Sequence, residues 1–236
     1  MKCIIRDDYE KMSEVTAQIV LGTMYQDKRA NLSITAGSSP VGTYQVLIPI
    51  LRENPNDFRH VHFYSFDNMA LDNNKDGITG KALRDQFFSP AAVQEKNIHL
   101  INEDNHISFM TDIDSAGGLD LMLIGLGADG HFCGNMPGLS EFHLESYTYP
   151  FCENFGDDPQ AVKMFGESKI ADLAVTMGAA ALMKTKRLIL IVNGKSKAAA
   201  VKKFMESGVD EMFPVSVLKL HPNFTVILDA DAASAL

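Results

Sequence analysis

Four short polar stretches, each directly after an apolar run, carry most of the side chains in this sequence that could do chemistry. In "AGSSPVGTY", residues 36–44, Gly37 allows close backbone approach and Ser38 and Ser39 offer hydroxyl donors. Pro40 suits the first turn of a following helix, whose free N–H groups attract an anion. The alternative is an ordinary helix start with Ser39 as N-cap. In the second stretch, Asp67 and Asn68 leave the apolar "FYSF". A carboxylate there can have a raised pKa and move a proton, or it can simply cap a turn. The third, "GLGADGHFCGNMPG" at 125–138, places Asp129 and His131 where one carboxylate can orient an imidazole for proton transfer. A surface histidine is the plainer alternative, and the glycine-rich setting favours the catalytic one. In the fourth, "NGKSKAAAV" at 193–201, Lys195 and Lys197 open a helix where positive charge opposes the dipole. That placement suits an arriving anion, with a solvated helix face as the alternative.

The remaining candidates lack the spacing their chemistry needs. His60 and His62 alternate on a strand and are compatible with a metal, but no third ligand has a fixed register. His143 and His221 fit turn or packing roles. Cys3, Cys133 and Cys152 form no CxxC pair, which supports neither a disulfide framework nor zinc. The GxxxxGK[ST], GxGxxG and GxSxG patterns are all missing.

The elements that must position these residues alternate between strand-length apolar runs and helical patterns. Strands are expected at 2–6, 31–36, 61–66, 119–126, 187–194 and 224–229. Helices are expected over 9–26, with Met12, Val15, Ile19 and Met24 as the apolar stripe, and over 41–53, 78–88 and 195–207. Residues 67–77 read as loop. Residues 138–170 show no clean periodicity and read as a lid or binding loop, with irregular surface structure as the alternative. The expected fold is α/β: a single domain over 1–236, Rossmann-like, with an open, mostly parallel sheet and helices on both faces. In such a sheet ligands sit outside the carboxyl ends of the strands, where all four polar stretches fall.

Composition bounds the partners. A formal charge of −9 with no basic cluster argues against nucleic acid, and no apolar stretch of membrane-spanning length occurs. A small molecule, a cytoplasmic location and no membrane partner are expected. An acidic protein can still hold a phosphorylated metabolite, because a helix N-terminus and one or two lysines make a local positive pocket.

Taken together, "SITAGSSPVGTY", "FYSFDNMALD", "DLMLIGLGADGHFCGNMPG", "VTMGAAALMKTKRLILIVNGKSKAAAV" and "VSVLKLHPNFTVILD" resemble the sugar-phosphate isomerase family that contains glucosamine-6-phosphate deaminase and 6-phosphogluconolactonase. The resemblance implies a sugar phosphate on the loop of Gly37, Ser38, Ser39 and Thr43, with Lys197 supplying charge. It implies that Asp67 shuttles a proton between C2 and C1 of the opened aldose, and that His131, supported by Asp129, opens the pyranose ring. No metal or organic cofactor is implied. Homo-oligomers occur in some family members and not others.

The sequence departs from the deaminase pattern at three points. Met136 in "GNMPG" stands where deaminases carry a glutamate, so Asp129, Glu141 or Glu145 would have to support His131. Asn68 replaces the acidic partner of Asp67, and the lid arginine has no clear match, with Lys163 or Lys169 as substitutes. Lactonases use the same histidine to activate water, but "GHFCGNMPG" lacks their "ASLFP" continuation and "DNM" their "DER". The expected function is therefore an amino-sugar-phosphate isomerase/deaminase acting on glucosamine- or galactosamine-6-phosphate, with a lactonase or a non-catalytic sugar-phosphate sensor as alternatives.

Overall fold

The computed structural model describes residues 1–71, 76–151 and 170–236. Its centre is a seven-stranded sheet in the order β1 (Lys2–Arg6), β10 (Phe224–Asp229), β9 (Leu188–Val192), β6 (Leu121–Gly125), β2 (Ala30–Ile34), β3 (Val61–Ser65) and β5 (Ile98–His99). Every pairing in it is parallel. Parallel strands need crossovers, and these lay helices on both faces, so central strands are buried on two sides and read as continuous apolar runs. Their alternate residues serve the two faces. Leu121, Leu123, Ile189 and Ile191 pack with α1 (Tyr9–Met24), α2 (Val41–Glu53) and α3 (Gly77–Leu83), which continues as a π-helical turn at Arg84–Phe88. Met122, Ile124, Leu188 and Leu190 pack with α4 (His106–Ser115), α5 (Ala179–Lys184) and α6 (Ala198–Glu206).

Two expectations about helices need correction. The buried stripe of α1 is Met12, Ser13, Thr16, Ala17, Val20, Thr23 and Met24, while Val15 and Ile19 lie at its margin. Small residues face inward because α2 approaches closely: a side chain at Gly42 would collide with Ser13. Pro40, and not Ser39, occupies the N-cap position of α2, and no side chain of the cap bonds the helix.

The larger correction concerns residues 67–77 and 138–170. Asp67–Leu71 is a strand, β4, and so is Ser146–Pro150, β7. With β8 (Ile170–Met177) they form a second, antiparallel sheet in the order β4-β8-β7. Residues 152–169, including Lys163 and the greater part of the expected lid, lie outside the described residues, as do residues 72–75. Strand β4 was invisible because "DNMAL" opens with two turn-forming polar residues. Both are accounted for by tertiary contacts: Asn68 donates to the carbonyl of Asp76 at 3.1 Å, and Asp67 accepts from the Thr79 hydroxyl at 2.9 Å.

Candidate active site

Chain order fixes where a ligand can bind. From β2 the strands proceed outward through β3 to β5, whereas from β6 they proceed through β9 and β10 in the opposite direction. The connections leaving β2 and β6 therefore diverge, opening a crevice at the carboxyl ends of these neighbours. "AGSSP" is the connection after β2, and "GADGH" the one after β6.

Three residues from elsewhere in the chain, Gln86, Tyr9 and Asn193, hold the β2 connection. Gly37 takes a positive φ of 124°, and its N–H donates to the Gln86 side chain at 3.4 Å. The Tyr9 hydroxyl accepts from the Gly42 N–H at 2.7 Å and donates to the Ser38 carbonyl at 3.0 Å. Tyr9 thus supplies from α1 the cap that the start of α2 lacks. The Ser39 hydroxyl donates to the Asn193 side chain at 2.6 Å, joining this loop to the one after β9. Thr43 is fully buried in the first turn of α2, and its hydroxyl has no hydrogen-bond partner among the described residues. A buried hydroxyl without a partner costs stability unless a ligand satisfies it.

Lys197 enters from the opposite side. Gly194, at φ 85°, donates its N–H to both carboxylate oxygens of Asp229 at 3.0 and 2.9 Å, which fixes the turn after β9. A short 3-10 turn, Lys195–Lys197, then leads into α6. Lys197 has no ion-pair partner among the described residues, and burial lowers its pKa against the opposing pull of Asp129. A half-buried ammonium without a counter-ion at a helix start suits an arriving anion.

The β6 connection presents the dyad expected from the sequence. His131 Nδ1 lies 2.6 Å from Asp129 Oδ1, and that oxygen also accepts the His131 backbone N–H at 3.1 Å. The imidazole beside it holds the Asp129 carboxyl down at about 2. An ionised Asp129 fixes the proton on Nδ1 and leaves Nε2 as the free end of the ring. The glycines have specific reasons to be there. A side chain at Gly127 would overlap the His131 ring and the Asp129 carboxylate, and one at Gly130, where φ is 94°, would overlap the Phe213 ring. Phe132 and Asn135 anchor the loop. Asn135 is fully buried, donates to the Met177 carbonyl at 2.8 Å and accepts the Tyr147 hydroxyl at 3.0 Å.

Asp67 begins β4, immediately beyond β3. Burial raises its carboxyl to about 6, against the Thr79 hydrogen bond and the electrostatic influence of His131, which both lower it. Cys133 stands next to it with a φ of 49°, its thiol directed to the Thr35 hydroxyl at 3.7 Å. Burial and the charge of Asp67 push that thiol well above its usual range. The structure thus links Asp67 to His131, His131 to Asp129 and Asp129 to Lys197, with the Gly37–Thr43 loop tied to the Lys197 side through Asn193.

Other sequence candidates go elsewhere. Met136 packs on the apolar cluster of Tyr147, Tyr149, Phe151 and Ala174. Glu141 faces His143 at 3.6 Å and Glu145 pairs with Lys184 at 2.5 Å, so Asp129 is the carboxylate that supports His131. His62 pairs with His99 at 3.0 Å, and burial chiefly, with Arg29, lowers it to about 4. His60 binds the Met24 carbonyl at 2.9 Å, and His221 the Thr185 carbonyl at 2.7 Å. Among the described residues no group of three or more His, Cys, Asp or Glu is placed to hold a metal ion, and no helix is long and apolar enough to cross a membrane. Sequence reasoning missed Tyr9, Asn193, Cys133, Asn135 and Thr79. Asn193, Cys133 and Asn135 stood within stretches already singled out, whereas Tyr9 and Thr79 lay outside them, and all five act through contacts with other elements.

Comparisons with known proteins agree with this arrangement. A family model described as glucosamine-6-phosphate isomerases/6-phosphogluconolactonase matches residues 7–227. A glucosamine-6-phosphate deaminase of Clostridium tetani is 32% identical, with 99% of each chain covered. Glucosamine-6-phosphate deaminase 1 of Bacillus subtilis is 30% identical, again with 99% of each covered. Among solved structures, a monomeric glucosamine-6-phosphate deaminase superposes with a TM-score of 0.88 at 29% identity, covering 100% of both chains. A 6-phosphogluconolactonase from Trypanosoma cruzi shares the fold, at a TM-score of 0.78 and 16% identity over 100% of this chain and 96% of that one. With its sequence matched almost end to end and its polar loops gathered at one switch point, the chain belongs to the glucosamine-6-phosphate isomerase/6-phosphogluconolactonase family.

Proposed function

We propose that this protein is an amino-sugar-phosphate isomerase/deaminase that converts glucosamine-6-phosphate or galactosamine-6-phosphate to the ketose phosphate and ammonia. The observation that carries this reading is the contrast between two carboxyls in one crevice. Asp129 is held ionised against His131, while Asp67 is raised to about 6 and passes easily between its two protonation states. Environments that push two titratable groups apart in this way identify an orienting anion and a proton carrier.

The chemistry follows from those states. The substrate phosphate docks on Gly37, Ser38, Ser39 and Thr43 with Lys197 as counter-charge, and this remote binding positions the sugar. His131, through Nε2, moves the proton that opens the ring and frees the C1 aldehyde. The Asp67 carboxylate takes the proton from C2, the substrate's ammonium gives one to the C1 oxygen, and an enolamine with a C1 hydroxyl results. The same carboxyl returns the proton to C1. The nitrogen is left as a C2 imine, which water hydrolyses with loss of ammonia. A carboxyl near 6 suits both halves of the shuttle near neutral pH. All proposed groups belong to one chain, as a site that works in a monomer requires. The relatives at about 30% identity carry deaminase names, whereas the lactonase likeness, at 16%, speaks for fold alone.

The test is an activity panel: ammonia and ketose phosphate from each amino sugar phosphate, hydrolysis of 6-phosphogluconolactone, and phosphosugar binding without turnover. Ammonia release from either amino sugar supports the reading. Lactone hydrolysis alone, or binding alone, overturns it.

A further inference from the structure

The proposed chemistry leaves one polar group beside Asp67 unused. In the antiparallel sheet Asp67 pairs with Thr176, which pairs with Tyr147, and Met69 pairs with Ala174, which pairs with Tyr149. Alternation along a strand puts Asp67 and Met69 on one face of β4, and Tyr147 and Tyr149 on one face of β7. It is a single face, because Asn135 of the His131 loop bonds both Thr176 at 3.3 Å and Tyr147 at 3.0 Å. The loop therefore rests on the cross-strand row that Asp67 begins, and Tyr149 ends the next row on the same face.

The two tyrosines differ in what their hydroxyls do. Tyr147 is committed to Asn135. Tyr149 is 7% exposed and makes no hydrogen bond among the described residues, with Met69, Ile78 and Met136 packed around its cluster. It nonetheless feels the charge of Asp67, which adds to burial in raising its phenol. A phenol whose ring is packed in an apolar wall and whose hydroxyl is bonded to no described residue keeps its donor free for a ligand.

We propose that Tyr149 contacts the substrate and determines specificity, its phenol donating a hydrogen bond to a hydroxyl of the opened sugar while Asp67 works at C1 and C2. This rests on the deaminase reading above. With Met69 and Met136 packed in its cluster, the Tyr149 hydroxyl is a polar point in an apolar wall. It should discriminate between sugars that differ in one hydroxyl.

The experiment compares Tyr149→Phe, which keeps the ring and its packing, with the unaltered protein. Turnover is measured on glucosamine-6-phosphate and on its C4 epimer. Binding is measured for inorganic phosphate and for 2-amino-2-deoxyglucitol-6-phosphate, an open-chain alditol that cannot react. The expected result is about 5- to 10-fold weaker alditol binding, as for one lost hydrogen bond, and an altered ratio of kcat/KM between the two epimers. Phosphate affinity and melting temperature should not move. Unchanged alditol affinity and an unchanged epimer ratio overturn the proposal. Equal weakening towards phosphate also overturns it, since that marks a general disturbance. If the unaltered protein binds alditol but releases no ammonia, the deaminase reading fails while the effect of Tyr149→Phe on alditol binding still decides the contact.

Discussion

At the scale of single residues, Asp67 carries the sharpest expectations. Its carboxyl must be ionised to take the C2 proton, so kcat/KM should fall as pH drops through about 6, the value to which burial raises it. Asp67→Asn should abolish ammonia release while leaving alditol-phosphate affinity within about twofold, because the amide oxygen still accepts from Thr79. The same substitution should affect stability in a definite direction. A carboxyl raised in the folded state binds its proton more tightly there than in the unfolded chain, so the native state is penalised as pH rises through the folded value. Asp67→Asn should therefore melt higher than the unaltered protein above pH 6, by up to about 3 kcal/mol for two pKa units, and the difference should vanish near pH 4. Thermal melts at the two pH values measure it. Asp129 has the opposite sign: its contribution is present above the usual carboxylate range and is lost as pH falls towards 2. Lys197→Ala should chiefly raise KM, and a KM equal to that of the unaltered protein would place the phosphate elsewhere.

At the scale of elements, the β6 connection is a pedestal for one imidazole. Gly127 has no side chain because the His131 ring and the Asp129 carboxylate occupy that space. In Gly127→Ala the easiest adjustment is for the imidazole to swing away, since no backbone stands among the nearest atoms. We expect about a 100-fold fall in kcat with little change in circular dichroism or melting temperature, as for an ångström-scale misplacement of a catalytic group. Gly130→Ala should behave differently. It meets the buried Phe213 and also forces a positive φ on a residue with a side chain, so it should lower the melting temperature as well as activity.

At the scale of the whole molecule, the crevice is built from connections of two diverging halves of one sheet and from the strand that opens the second sheet. A phosphosugar that bridges these parts binds only the native state. Saturation at 100 times Kd should add about 2.7 kcal/mol to stability, read as a rise in melting temperature. Because every proposed group comes from a single chain, specific activity should stay constant as enzyme is diluted. A fall on dilution would show that a second copy completes the site.

Much of this protein could be read from one dimension. The apolar runs that became β6, β9 and β10 are buried on both faces of a parallel sheet, and such strands need no partner to be recognised as strands. Asp129 and His131 were legible together because their contact spans two residues. What the sequence could not display was anything depending on distant segments. Strand β4 hid behind "DN", whose polar groups are satisfied by Asp76 and Thr79 only after folding. The cap on α2 comes from Tyr9, more than thirty positions away from Gly42. The seat of the His131 loop is a second sheet assembled from three separated strands. The sequence by itself determined the parallel α/β class and the four polar loops, because burial pattern and turn chemistry are local. The tertiary structure alone decided which carboxyl is ionised and which is held near 6, because desolvation and charge proximity are properties of the folded neighbourhood.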